Sequence, residues 1–294
     1  MKYRHLILLT FILAAFASCE RLVDNVEVPR IPPQLVMYSF LSPEDSVITV
    51  QVSISTPLFE NVTNRFGNIN YVTNAQVNIQ SNTGRSATFP AFDDEAYGYI
   101  LSTSVYAIIP GETYRITVQH QGKTAWGETT IPATAVPIQE ISHVQLLQNN
   151  SVIGSNTPAF KIRTMWNDPA NENNFYRVVV NSYFGWQIEP GGPKEEYTFD
   201  ICNTNMYDDQ RRNGQQIVSV CDDYNFKGPG DTANYKVLLL TTDKPYYEYH
   251  IRRLNYVGED PFSEPTPMYH NVNGGLGVVG SYRVSTRNYE LIVQ

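Results

Sequence analysis

Only three cysteines occur in 294 residues, and no C-x-x-C spacing is among them, so thiol redox centres and cysteine-rich zinc modules find no support. Cationic side chains are scarce, with 21 Lys and Arg against 29 Asp and Glu and a formal charge of −8. An acidic chain without a basic stripe is a poor nucleic-acid binder, because phosphate neutralisation dominates that affinity. No apolar run approaches the roughly 20 residues that a spanning helix needs. The sequence holds no G-x-S-x-G elbow, no H-E-x-x-H and no P-loop. The histidines after the first few residues, His120, His143, His250 and His270, stand singly. Gly275-Leu276-Gly277-Val278-Val279-Gly280 matches G-x-G-x-x-G by letter, yet a proline-rich loop precedes it, strand-like residues follow, and only fourteen residues remain. A dinucleotide fold needs strand, helix and an acidic residue about 20 positions on. The glycines read instead as tight backbone turns at a sheet edge.

The amino-terminal stretch has its own pattern. Lys2 and Arg4 precede an apolar run from Leu6 to Phe16, and Ala17-Ser18 lead into Cys19. Basic start, apolar middle and small-residue end make an export signal over residues 1–18. The segment Phe16-Ala17-Ser18-Cys19 resembles a bacterial lipobox, with Phe where Leu is commonest, and implies lipidation of Cys19. An ordinary signal peptide with a chance cysteine is the alternative. Several acyl chains, at about 0.8 kcal/mol per buried methylene, hold a protein firmly on a membrane. Residues 19–33 read as a charged, proline-closed tether. In an oxidising compartment the remaining Cys202 and Cys221 are expected to bridge. Two free thiols or, given the absence of a nearby histidine, a poor metal site are the alternatives.

Beyond residue 33 the dominant signal has period two. In "SVITVQVSI" Ile48, Val50, Val52 and Ile54 share one face, and "AQVNIQ" and "TYRITVQH" repeat the alternation. Half-buried strands carry that pattern, and Pro110-Gly111 marks a turn. We expect a mainly β protein of two β-sandwich domains. The first, residues 34–132, is immunoglobulin-like. "IPATAVP" (131–137) reads as a linker. The second, residues 138–294, is fibronectin-III-like, with an irregular aromatic insertion over 185–231 and a strand pair at the close. One short helix is expected near 243–256, capped by Asp243 with Pro245 in its first turn.

Aromatics crowd the expected insertion. Trp186, Tyr197, Tyr207 and Tyr224 are the candidate partner- or ligand-binding residues, the alternative being that they plug the end of the second sandwich. Carboxylate pairs Asp93/Asp94, Asp208/Asp209 and Asp222/Asp223 read as loop tips. A bridge between Cys202 and Cys221 would bring the last two pairs together, where calcium is conceivable by charge. No catalytic residue, metal site or cofactor is expected.

Several segments resemble one family: "CERLVDNVEVP" after the lipobox, "LVMYSFLSPEDSVITVQVS", "IIPGETYRITVQHQGKTAWGETTIP", "YYEYHIRRL" and "DPFSEPTPMYHNVNGGLGVVGSY". They are similar to the Bacteroidota lipoproteins grouped as domain of unknown function 4249, with Val278-Val279 standing where an Ile/Val-Phe pair is usual. The resemblance covers nearly all the chain after Cys19 and assigns no catalytic residues. It implies an outer-membrane context, often beside SusC-like TonB-dependent transporters. The expected function is thus a non-catalytic, lipid-anchored outer-membrane protein, facing outward rather than into the periplasm, that serves a transporter barrel as accessory or ligand-capturing partner. A structural or adhesion protein of the cell envelope is the first alternative, and a glycan or peptide hydrolase the second.

Overall fold

The computed structural model describes residues 32–56, 69–150, 155–187, 194–224, 232–256 and 268–292. Cys19, the leader and the tether up to residue 31 lie outside the described residues. Seventeen strands and one helix follow in order: β1 (Leu35–Leu41), β2 (Val47–Ile54), β3 (Asn70–Tyr71), β4 (Gln76–Ser81), β5 (Ser86–Thr88), β6 (Phe92–Asp93), β7 (Gly98–Ser102), β8 (Thr113–His120) and β9 (Lys123–Thr130). Then come β10 (Glu140–Asn150), β11 (Ser155–Asn167), β12 (Phe175–Gln187), β13 (Lys194–Asp208), β14 (Gln216–Asp223), β15 (Thr232–Thr242), the helix α1 (Lys244–Leu254), β16 (Val272–Asn273) and β17 (Leu276–Ile292).

The strands form three open sheets. Nine belong to a large sheet, ordered β13-β12-β15-β17-β1-β2-β7-β6 with β3 beside β2; the others form a β10-β11-β14 sheet and a β16-β9-β8-β4-β5 sheet. Two separate apolar clusters fill the spaces between them. The first takes Met37, Val50 and Val52 from the large sheet and Val77, Ile79, Ile116 and Val118 from the five-stranded one. The second takes Val178, Val180, Val237 and Leu239 from the large sheet and Phe160, Ile162, Trp166 and Ile217 from the three-stranded one. The alternating residues read from the sequence are these inner faces.

β17 ties the halves together. Its first six residues pair in parallel with β1, Val36 opposite Leu276 through Leu41 opposite Ser281. Its remaining residues pair antiparallel with β15, Tyr282 opposite Thr242 through Ile292 opposite Thr232. Seventeen residues at about 3.3 Å each span roughly 55 Å. With period two, the odd-numbered residues share one face, and that face supplies Val279 to the first cluster and Leu291 to the second. The two smaller sheets therefore pack on the same side of the large one.

The linker runs along that side and is tied down. Ile131 is buried in the first cluster and Val136 and Ile138 in the second. Ser281 Oγ donates to Thr130 O (2.9 Å), Arg283 Nη1 to Ala133 O (3.0 Å) and Arg287 Nη1 to Gln139 O (2.9 Å). Helix α1 covers the opposite side. There Tyr246 meets Phe40 edge-on at 5.1 Å and Tyr282 at 5.5 Å, and Tyr249 meets Tyr38 at 5.5 Å.

Three expectations need correcting. The described residues of 185–231 are not an irregular excursion, since β13 runs fifteen residues beside β12 and β14 pairs with β11. β13 is an edge strand, and a strand with one neighbour needs less apolar alternation, so "KEEYTFDICNTNMYD" hides its period. The chain closes in one long strand, not a strand pair. Gly274 and Gly275 form the expected tight turn, from edge strand β16 into β17, but Gly277 and Gly280 lie inside the large sheet, not at its edge. Gly277 has φ +108°, and a Cβ there would stand 2.0 Å from Met37 O. Only glycine permits that approach of two backbones.

Candidate functional site: an acidic cleft at the junction

Where β15 ends, Asp243 stops the strand and starts the helix. Its Oδ1 accepts from the N–H of Tyr246 (2.9 Å) and from the N–H of Ser281 (3.0 Å), and Oδ2 accepts from Thr129 Oγ. One side chain thus caps α1 and joins β9 of the first half to β17. Burial pushes its carboxyl up to about 6, against the pull of those donors. Arg252 and Arg253 in the last turn complement the helix dipole; the cap by Asp243 and Pro245 in the first turn are as the sequence pattern anticipated.

Beside this cap opens a cleft of about 1030 Å³. Its walls come from the linker at Ile131–Thr134, the loop Pro169–Asn174, the end of β13 with Asp208 and Asp209, and the first two turns of α1. Five carboxylates line it, Glu172, Asp208, Asp209, Asp243 and Glu248, against the single cation Lys244, which is exposed. Phe175 and Tyr247 form an aromatic wall, ring centres 4.9 Å apart. The Tyr247 hydroxyl donates to Asp208 Oδ2 (3.3 Å), and burial with the Asp208 charge pushes it up to about 12. Arg252 reaches Glu248 at 3.6 Å. Among the described residues no ion pair joins Glu172, Asp208 or Asp209 to a cation.

The disulfide between Cys202 and Cys221 is present and joins β13 of the large sheet to β14 of the small one across the second core. It does not bring the two acidic pairs together. Asp208 pairs at Phe175 by the cleft, whereas Asp223 pairs with Phe160 at the far end of β14. Asp222 is bound to Lys161 Nζ at 2.7 Å, and Asp223 lies buried, accepting from the Tyr235 hydroxyl at 2.8 Å. Asp93 closes a turn by accepting from Glu95 N and Ala96 N. No group of three or more potential metal ligands occurs among the described residues.

The aromatic candidates separate. Tyr207 is half-buried against Trp166, ring centres 5.4 Å apart, and packs on the second core. Tyr224 is 61% exposed. Trp186 pairs in backbone register with Glu195, and Tyr197 with Phe184; their side chains lie outside the described residues. The structure does not gather the four into one site. What sequence reasoning missed is the cleft: Glu172 comes from the loop before β12 and Asp243 and Glu248 from the start of α1, and only Asp208-Asp209 and the Asp243 cap gave a signal.

Three sheets, two cores and a junction cleft define a mainly β architecture. The family model described as "Domain of unknown function (DUF4249)" matches residues 23–288, and the chain belongs to that family. No curated protein matches the chain.

Proposed function

We propose that this protein is a non-catalytic outer-membrane lipoprotein, anchored through Cys19 and facing outward, which captures ligand or acts as accessory for a SusC-like TonB-dependent transporter. The observation that carries the reading is the cleft itself: a large concavity held between two cores by a pinned linker, a capped helix and one shared strand. Ligand sites concentrate at such junctions. Among the described residues the lining offers carboxylates, amides, hydroxyls and two rings. The transporter and the membrane come from the family resemblance and the lipobox.

We read the two halves as immunoglobulin-like and fibronectin-III-like sandwiches. Supporting the first is Tyr114, whose hydroxyl accepts from Ile109 N (2.8 Å), a bond to backbone just upstream as in a tyrosine corner. Supporting the second as a sandwich is a core packed between the large sheet and the β10-β11-β14 sheet.

The acidic cleft also favours a second reading, a glycan or peptide hydrolase, because a carboxyl raised to about 6 suits a general acid. Asp243 is badly placed for that work, since both its oxygens already accept hydrogen bonds in the cap. The deciding experiment is a pull-down from detergent-solubilised outer membranes. A co-purifying transporter barrel, retained by wild type and lost with Cys19→Ala, is the expected result. Absence of any barrel, or turnover of glycans or peptides by the purified protein that Asp209→Asn abolishes, overturns the reading.

A further inference from the structure

We infer that the junction cleft is a receptor for a cationic peptide segment, a stretch of chain that presents lysine or arginine side chains. This rests on reading the cleft as a ligand site and is independent of the transporter assignment.

The argument starts from charge compensation. Four carboxylates elsewhere on the molecule have cations: Glu112 has Arg85 at 2.6 Å, Glu128 has Arg115 at 2.8 Å, Asp222 has Lys161 at 2.7 Å and Glu44 has Arg283 at 2.7 Å. In the cleft Glu172, Asp208 and Asp209 have none among the described residues. Asp209 is the extreme case. It is only 1% exposed, and its side chain accepts a single long bond, 3.5 Å from Asn213 Nδ2. Burying a carboxylate with so little compensation is unfavourable, and a cation brought into the cleft supplies what the chain does not.

A second, independent observation marks the same place as incomplete. Thr242, 4% exposed and part of the cleft lining, has a buried hydroxyl oxygen with no hydrogen-bond partner. Buried polar atoms are normally satisfied. Thr242 stands in register with Phe175 and Tyr282, on the side of the sheet that carries α1. Thr242, with its unsatisfied hydroxyl, and the uncompensated carboxylates therefore line one cleft.

The remaining lining fits a peptide better than a bare ion. The aromatic pair Phe175 and Tyr247 is a surface for the aliphatic stem and charged head of lysine or arginine. Asn173, Asn174 and Gln210 add amides able to pair with a peptide backbone. At about 1030 Å³ the cleft is at the upper end of ligand pockets, roughly 300–1,000 Å³, and exceeds what one ammonium group needs.

The test uses the full chain in non-ionic detergent and three probes: tetralysine, tetraglutamate and a neutral Gly-Ser tetrapeptide. Affinity is read by calorimetry at low and physiological salt, and location by hydrogen exchange. The expected result is that tetralysine alone binds, and protects residues 208–212 and 241–248. Asp208→Asn with Asp209→Asn should weaken it at least tenfold, and Thr242→Val severalfold. Asp93→Asn with Asp94→Asn, the same charge change on a distant loop, should leave it within twofold. Melting temperatures checked beside each titration separate lost binding from lost folding. An equal loss with the Asp93 and Asp94 pair overturns the proposal, because the attraction is then to overall charge. Binding of the neutral peptide in the cleft without tetralysine overturns the cationic class while leaving ligand capture standing. No binding of any probe at millimolar concentration overturns both readings of the cleft.

Discussion

The two halves of the molecule close their cores by different chemistry. The first half uses a polar corner: Arg85 binds Glu112 at 2.6 Å and the Tyr114 hydroxyl at 2.9 Å, while that hydroxyl accepts from Ile109 N. The Arg85 bond holds the Glu112 carboxyl below its usual range. The second half uses a covalent link, the Cys202–Cys221 bridge between sheets. Hydrogen bonds at a corner position a turn without constraining the unfolded chain. A disulfide acts largely on the unfolded state, so the second half should depend on redox conditions and the first should not. The two halves are joined by β17, the pinned linker and the Asp243 cap, with α1 packed on Tyr38 and Phe40 and Arg283 paired to Glu44 at 2.7 Å.

The comparison breaks most completely at Gly277. Valine there puts a Cβ into Met37 O in a left-handed backbone, so β1 should separate from β17 and both halves should lose their common strand. We expect a loss above about 4 kcal/mol, or failure to accumulate folded protein. Gly84→Ala, also at positive φ but with open space around it, should cost only about 1 kcal/mol. Urea unfolding of the two variants measures the difference; equal losses would sink the shared-strand account.

Next in size is the disulfide. Cys202→Ser with Cys221→Ser should destabilise by about 3 kcal/mol for a loop of this length. Hydrogen exchange should rise in β13 and β14 while β8 and β9 keep their protection. A uniform rise across both halves would mean that the cores do not respond separately.

The junction itself titrates in two opposed directions. Asp243 is raised to about 6 from 3.8 by burial. Its contribution is fullest below pH 4 and is lost as pH rises to about 6, by about 3 kcal/mol at 1.36 kcal/mol per unit. His250 is lowered from 6.5 to about 4, first by burial, then by the Arg177 and Arg253 charges, while its Nδ1 donates to Tyr246 O at 2.8 Å. Its contribution is full above pH 6.5 and lost as pH falls towards 4, by a similar amount. The wild-type profile over pH 4–6.5 should be flatter than either variant. His250→Phe should make stability fall with rising pH, and Asp243→Asn should make it rise. Parallel profiles for the three proteins would remove the junction as the titrating element.

The smallest effect expected is at the corner. Tyr114→Phe leaves Ile109 N without its partner and should cost about 1–2 kcal/mol, read as a melting shift confined to the first half. Glu112→Gln should cost less, because its partner Arg85 is about a third exposed and solvent screens such pairs.

Much of this was legible in the residues. The alternation at Ile48–Ile54 and Tyr114–Val118 predicts strands with the correct faces inward. Asp243-Lys244-Pro245 predicts the start of the helix. β13 was illegible because its polar residues obey an edge strand's weaker demand. The cleft was illegible because its acids come from segments at 172, 208–209, 243 and 248, brought together only when β12, β13 and β15 align their ends. Gly277 carried a visible signal, but its meaning depended on a neighbour some 240 residues away.

Local periodicity and capping chemistry are set by neighbours along the chain, and the sequence alone pointed to the mainly β class, the helix, the Cys202–Cys221 bridge and the family. Which strands lie side by side depends on contacts between distant residues, each weak until the others form. The tertiary structure therefore decided that the final strand belongs to both cores, that the linker is a strapped connection, and that carboxylates scattered through the second half share one cleft without enough cations to balance them.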